Sequence, residues 1–452
     1  MLEITALSPD GCYRSRKRFV VDDPSGAAVE SSLVPPLVLS DWVNALRAAV
    51  PLPADEVAAL LSKAADIFEG QDVLGDDLAT HELRVAALTG TPLRVVHECD
   101  QLIAAKLRDA AQLSRLAMPA SAHQDIDSVA FGAGWNRCGE VFGVIAAGNS
   151  PGVHALWLEA LALGYRVVVR PSTRDLLTPA RLVNALRAAG LPSDQLVLAP
   201  CDHATADVLV EQVDRALVYG GQAVVEKYRH RADVLTQGPG RAKLVVTADA
   251  DRRVGLDLAV EGATYHAGTA CTATTGVLVE DDHSRFAGDL AAALSAAEVI
   301  GPMQDDACLP AMPVEQAEEL VADVLSRVDP GAVVLLPRAE VVGAENVAVI
   351  TPAVFELGSP QDPLLGYEVP FPCVWVAPFD RSTPEVLEGS LVVSFNGDGC
   401  GLAPRVLSLP AVSNVYVGLP TSWLNAAVPH DGFLGEFLMR CKGFARVQHN
   451  PS

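Results

Sequence analysis

The chain has 452 residues, half of them apolar and a fifth charged, a length too great for one ordinary core, so two or three domains are expected. Its 33 Lys and Arg stand against 56 Asp and Glu, a formal charge of -23; this excludes a broad basic face for nucleic acid and leaves any anionic ligand to a local arginine or a helix N-terminus. Nine cysteines without a Cys-x-x-Cys pair argue against a disulfide framework or structural zinc and fit a reducing cytoplasm, and neither an export signal nor an apolar run of about 18 residues points to a membrane.

In chain order, the first 120 residues read as mostly helical. Residues 41–47 carry helical periodicity, Pro53-Ala54-Asp55-Glu56 opens a second such stretch, and a helix-rich piece runs from about 78 to 116. Residues 123–140, with Gly132, Gly134, Trp135 and Gly139, look extended or hairpin-like. From 141 onward short β-branched runs alternate with helical lengths: 141–147, 167–169, 196–198 and 217–219, then a second block from 243–246 through 276–279 and 374–376 to 415–417. That alternation is the mark of an α/β chain with parallel sheets covered on both faces.

Within this frame, Tyr265-His266-Ala267-Gly268-Thr269-Ala270-Cys271-Thr272 presents one cysteine on a loop of small residues. Its thiolate can reach a carbonyl carbon there, and backbone N–H groups are free to meet the resulting oxyanion. The same residues also suit a buried, inert cysteine. Gly220-Gly221-Gln222 lies at a strand-to-helix turn where a pyrophosphate can approach backbone donors. Gly238-x-Gly240 lacks the third glycine of a dinucleotide fingerprint and reads as the turn after a strand. His266 lies near enough to Cys271 in sequence to suggest a thiolate–imidazole pair, although a structural hydrogen-bonding role is the expectation; His154 and His203 have no ligand spacing, so no metal is expected.

Taken together, the ordered motifs resemble the aldehyde dehydrogenase superfamily along nearly the whole chain. Ala147-Gly148-Asn149-Ser150-Pro151 resembles the family's Pro-Trp-Asn-Phe-Pro, and residues 167–172, ending Arg170-Pro171-Ser172, resemble its Lys-Pro-Ser-Glu strand. Gly268-Thr269-Ala270-Cys271 is similar to Gly-Gln-x-Cys, and Glu368-Val369-Pro370-Phe371-Pro372 with Pro378-Phe379 to Glu-Ile-Phe-Gly-Pro and its Pro-Phe. Asn396 with Gly401-Leu402-Ala403, and Pro429-His430-Asp431-Gly432 in place of Pro-Phe-Gly-Gly, complete the series. The resemblance implies two Rossmann-like parallel-sheet domains: a cofactor domain over 1–122 and 140–237, a catalytic domain over 238–431, and a bridging segment from 123–139 and 432–452 that makes a homodimer. It also implies Cys271 as nucleophile, Asn149 as oxyanion donor, and cofactor contacts at Ala147, Arg170, Ser172, Thr173, Arg174, Gly220, Gly221 and Glu368.

Two departures from the family pattern shape the expected function. Where the family carries its general-base glutamate, this chain has Gln237, an amide that takes no proton from water at neutral pH. With no carboxylate expected beside the sulfur, a Cys271 thioester should persist in water. The expected reaction is therefore reduction of an activated acid, a thioester or acyl-adenylate, to an aldehyde. The resemblance is nearest to acyl reductases such as those of bioluminescence and of aryl-acid reduction in antibiotic pathways. A separate adenylating enzyme, or a CoA or carrier-protein donor, would supply the small-molecule acyl substrate. The alternatives are an oxidising aldehyde dehydrogenase in which Glu261 or Glu368 serves as base, and a non-catalytic scaffold subunit. Second, Arg170-Pro171-Ser172-Thr173-Arg174 has no acid where the family's glutamate favours a free 2'-hydroxyl, so NADPH is expected over NADH.

Overall fold

Runs of β-branched residues set down the sheets. In Arg166–Arg170 all five residues are buried, and alternate side chains go to opposite faces: Val167 and Val169 join one apolar cluster, Val168 another. A strand buried on both sides has no polar face, which is why Val-Val-Val is tolerated there, and each such valine contributes roughly 1.5–3 kcal/mol. The computed structural model describes residues 2–22, 28–127, 129–343, 346–397 and 401–446.

One seven-stranded sheet has the order Val234–Gln237, Arg215–Tyr219, Val141–Ile145, Arg166–Arg170, Leu196–Leu198, Ala6–Ser8, Gly11–Tyr13. Its first five strands are parallel, and the last two join antiparallel. A second seven-stranded sheet runs Val333–Leu335, Ala353–Glu356, Cys373–Pro378, Thr274–Val279, Ala242–Val246, Ser390–Phe395, Val412–Val417, parallel except at Val333–Leu335. Here too the faces divide, Val245 facing one cluster and Leu244 and Val246 the other. The chain passes from the first sheet to the second between Gln237 and Ala242, and this short passage lies against the candidate site. A small sheet pairs Phe131–Arg137 with Met439–Ala445 and Ala122–His123. Residues 447–452 of the expected bridging segment lie outside the described residues.

The helical reading of the N-terminus needs correction. Helices Pro36–Ala48, Ala54–Gly70, Leu78–Thr89 and Leu93–Leu113 are present, but five strands between Leu2 and Ser32 precede them. Those strands are three to five residues long, too short for an alternation to show, and two of them, paired with each other as a hairpin, extend the edge of the first sheet. The helices follow their sequence signals. Pro36–Ala48 starts on proline and buries Leu39, Trp42, Val43 and Leu46 on one stripe. Leu78–Thr89 is capped by the Asp77 side chain, which accepts from the Thr80 N–H, and it ends on left-handed Gly90.

Candidate active site

The site gathers at the carboxyl ends of the parallel strands, where loops can carry chemistry on a rigid base. Beyond Val141–Ile145 the chain turns through Ala147, Gly148 and Asn149. Asn149 Nδ2 donates to the Thr269 carbonyl at 2.9 Å, and Thr269 Oγ1 donates back to the Asn149 carbonyl at 3.2 Å. This exchange ties the first sheet's loop to the one that carries Cys271. The loop itself is wound tightly: His266, Ala267 and Gly268 are all left-handed, with φ of 45°, 60° and 73°. Non-glycine residues there cost about 1–3 kcal/mol each, so the packing around them must hold the turn. A Cβ on Gly268 would lie 2.4 Å from the Pro372 nitrogen, and one on Gly240 only 1.7 Å from the Cys271 carbonyl oxygen. Gly240 therefore does more than make a turn, because its bare Cα is what lets the inter-sheet passage press against the cysteine.

Two cavities meet at Cys271. One, of about 480 Å³, is walled by Gly148, Gly220, Gly221, Gly238 and Glu368 among others. The other, of about 290 Å³, is largely apolar, with Leu102, Leu113, Leu116, Tyr416, Val428 and Phe433 in its wall. Asn149, Val153, Tyr219, Gln237, Ala270 and Cys271 border both. The sequence-expected Cys271, Asn149 and Gln237 are thus brought to one place. Gln237 is 7% exposed, at the end of its strand and in register with Tyr219.

The electrostatics of the sulfur differ from expectation. Burial, then the charge of Glu368, pushes the Cys271 thiol up to about 12, with Asp431 adding to the rise; the backbone N–H groups of Cys271 and Thr272 pull the other way. A carboxylate does bear on the sulfur, which corrects the expectation that none stands beside it. Glu368 accepts from the Arg241 N–H at 2.7 Å, and burial holds its own carboxyl above the usual range. Glu261 is exposed on its helix and lines neither cavity.

The residue that sequence reading missed is His430. Its Nε2 lies 3.2 Å from Cys271 Sγ, although 159 residues separate them. The available signal was a titratable ring in Pro429-His430-Asp431-Gly432, at a motif position where the resembled family has phenylalanine. Burial lowers the imidazole, Lys106 lowers it further, and Asp431 opposes them. His266, the nearer histidine in sequence, turns elsewhere: it stacks on Tyr265, with Nδ1 4.0 Å from Cys99 Sγ and Nε2 3.7 Å from Glu98. Burial holds it down to about 4.

The larger cavity fits the nicotinamide end of a dinucleotide. Its glycine wall admits backbone approach, a Cβ on Gly221 would point into open space, and among the described residues Glu368 is the one charged side chain lining it. The expected contacts for the adenosine end are disposed otherwise. Arg170 is 4% exposed and donates from Nε to the Cys201 carbonyl at 3.3 Å, closing the sheet end. Arg174 gives Nε and Nη2 to the Thr89 carbonyl at 3.2 and 2.7 Å, at the end of helix Leu78–Thr89, where a cation opposes the helix dipole. Neither guanidinium is thus wholly free for a phosphate. Ser172 Oγ accepts from the Arg174 N–H, and Thr173 is exposed. The helix after Gly220-Gly221, Gln222–Tyr228, has seven residues, and Arg241 Nη2 donates to Gln222 Oε1 at its start.

Comparison with known proteins adds context to this geometry. Residues 43–407 match the model of the aldehyde dehydrogenase family. A 229-residue stretch is 28% identical to a putative aldehyde-dehydrogenase-like protein, y4uC, of Sinorhizobium fredii, covering 49% of this chain and 44% of that one. Betaine aldehyde dehydrogenase of Bacillus subtilis is 31% identical over 161 residues, 33% of either chain. The matched stretches span less than half of these relatives' length. Among solved structures, an NAD-dependent aldehyde dehydrogenase from Sinorhizobium meliloti superposes with a TM-score of 0.81 at 18% identity, covering 100% of this chain and 96% of that one. An NADP-dependent glyceraldehyde-3-phosphate dehydrogenase from Bacillus halodurans C-125 complexed with NADP gives 0.79 at 18% identity, covering 99% and 100%. At such identity the likeness is one of fold.

Proposed function

Because the chain belongs to the aldehyde dehydrogenase family, oxidoreductases that act on the aldehyde group with NAD(P), we propose that it interconverts an aldehyde and an acyl thioester on Cys271. Reduction of an activated acyl group with NADPH is the preferred direction. The observation that carries this reading is Gln237, a buried neutral amide bordering both cavities beside Cys271. General-base help to water is worth about 10²- to 10⁴-fold, and this position offers none.

In this reading the acyl group lies in the apolar cavity and its carbonyl carbon reaches Sγ. Asn149 Nδ2 has one N–H on Thr269 and a second for the oxyanion. Glu368 would hold the cofactor's nicotinamide ribose while Gly220 and Gly221 let its pyrophosphate approach, and the cofactor would supply hydride to the thioester carbon or take it from the thiohemiacetal carbon. Thr173, which brings no carboxylate to repel a 2'-phosphate, supports NADPH over NADH. Free carboxylate is a poor electrophile, so an adenylating partner or a CoA or carrier-protein donor belongs to the proposal. So do the division at residues 122, 140 and 237 and a homodimer through the small Phe131–Arg137 sheet.

One observation favours a second reading, oxidation of aldehyde to free acid: the charge of Glu368 bears on the sulfur, and His430 lies 3.2 Å from it. Aldehyde and NADP⁺ without an acyl acceptor separate the two. A burst of one NADPH per site that then stops is expected, together with aldehyde release when NADPH meets an acyl thioester or adenylate. Continuous turnover to free acid overturns the reductive reading.

A further inference from the structure

Among the described residues, one ring nitrogen stands against the nucleophile, and neither the motifs nor the resemblance gave it a task. We propose that His430 is a catalytic residue, the proton partner of Cys271: its Nε2 takes the thiol proton as Sγ bonds to a carbonyl carbon and gives it up when a leaving atom needs it. The inference rests on Cys271 being the acylated residue, and it deepens that reading without depending on direction.

The geometry is built for this contact. Nε2 and Sγ are 3.2 Å apart, within range of an S–H···N hydrogen bond. The ring is seated from the edge of the second sheet: Asn414 Nδ2 donates both to the His430 carbonyl and, at 3.1 Å, to Leu391 O, and Ser413 Oγ donates to Asp431 Oδ1 at 2.8 Å. Both anchors lie on Val412–Val417, the outermost strand of the catalytic sheet, so the His430 loop is fixed to the scaffold that carries the nucleophile.

The proton states agree with such a role. Burial disfavours both thiolate and imidazolium, so the resting pair is neutral, with S–H donating to Nε2. A sulfur held this way is a weak nucleophile until its proton leaves, and the leaving must coincide with attack. Of the neighbours on the cavity wall, Gln237 is an amide and takes no proton, and the Glu368 carboxylate accepts from the Arg241 N–H, whereas Nε2 of His430 lies in hydrogen-bond range of Sγ. The other ionisable groups facing the pair are Asp431 beside the ring, Lys106 paired with Glu159 at 3.4 Å, and Tyr219, Tyr265, His266 and Tyr416 on the cavity wall.

The steps balance. With an aldehyde, the S–H bond breaks toward Nε2, the S–C bond forms, and the carbonyl electron pair moves to oxygen, giving a thiohemiacetal oxyanion beside an imidazolium. With an acyl donor, the tetrahedral adduct expels its thiol or adenylate, and the imidazolium returns its proton to the leaving group when that group is a thiol. When the C–S bond of a thiohemiacetal breaks, the pair returns to sulfur and Nε2 passes it a proton: the one taken on attack where the imidazolium persists, or one drawn from solvent where a departing thiol has carried that proton away.

The test uses the cofactor-free enzyme. Iodoacetamide alkylation of Cys271, followed by mass spectrometry between pH 5 and pH 10, should show a rate that is flat through neutrality and falls only in acid, as the imidazole protonates. In His430→Gln the rate at neutral pH should fall by about 10²- to 10⁴-fold and rise log-linearly with pH; imidazole added to His430→Ala should restore part of it. A wild-type rate that itself rises log-linearly across the whole range, a measurement needing no variant, overturns the proposal. So does a folded His430→Gln with unchanged rate and profile. If alkylation depends on His430 but acyl donors and aldehydes never label Cys271, the proposed function fails and the pair stands. If labelling occurs and alkylation ignores His430, the pair fails alone.

Discussion

Replacing Gly240 by alanine probes the fit between the inter-sheet passage and the nucleophile. The added methyl would lie 1.7 Å from the Cys271 carbonyl oxygen and 2.5 Å from its carbon. Both are backbone atoms, so no side chain can swing aside. The segment at Gly240 cannot retreat easily either, since its carbonyl accepts from the Leu391 N–H at 2.7 Å. Restoring a 3.0 Å contact moves Cys271 by at least about 1.3 Å, and a displacement near 1 Å at a reacting centre costs about 10²-fold in rate. Overpacking of this kind also destabilises by about 1–3 kcal/mol. Gly288→Ala is the control, because its methyl meets nothing within 4 Å and it lines neither cavity. The readout is the rate of the acyl-enzyme burst by rapid-quench mass spectrometry, with thermal unfolding to confirm the fold. A folded Gly240→Ala whose burst rate stays within a factor of three of wild type would refute the claim that this glycine sets the position of the sulfur.

Three further outcomes are expected. Gln237→Glu should convert the single-turnover burst with aldehyde and NADP⁺ into continuous acid production, raising thioester hydrolysis by about 10²- to 10⁴-fold; an unchanged hydrolysis rate shows that position 237 is not a seat for the base. Thr173→Glu, on an exposed residue, should weaken NADPH relative to NADH by at least about tenfold through carboxylate–phosphate repulsion, measured as the ratio of the two dissociation constants. The third outcome concerns acid. Burial alone lowers His154 to about 3 from 6.5, so below pH 6.5 the unfolded chain binds a proton that the folded one refuses, and stability is lost as pH falls from 6.5 toward 3. Denaturant unfolding of His154→Gln should therefore show a slope shallower by about 1.4 kcal/mol per pH unit in that window; parallel slopes would mean that His154 is already charged in the native state.

Much of the site could be read along the chain because its parts sit in local motifs. A cysteine among small residues, an asparagine after a buried strand, and glycines at strand ends are short-range patterns, and the fold brings Cys271, Asn149 and Gln237 to a common border. What escaped reading is what depends on distance in space. His430 meets Sγ on a loop that Asn414 and Ser413 tie to the sheet edge, a relation that no spacing encodes. Arg174 looked like a phosphate ligand from its neighbours in sequence, but its guanidinium is engaged by the Thr89 carbonyl, 85 residues away. The N-terminal strands were lost for a similar reason: Ala6–Ser8 has three residues and pairs with Leu196–Leu198 across most of the first sheet's sequence.

The two cavities open on Cys271 from different walls, one glycine-lined and one apolar, and this has a kinetic consequence. With the proposed occupants, a spent nucleotide would depart while the acyl chain stayed in its own chamber, so one coenzyme molecule need not be trapped until the cycle closes. The loaded enzyme is then a waiting state, and its lifetime is set by whichever visitor next enters through either door.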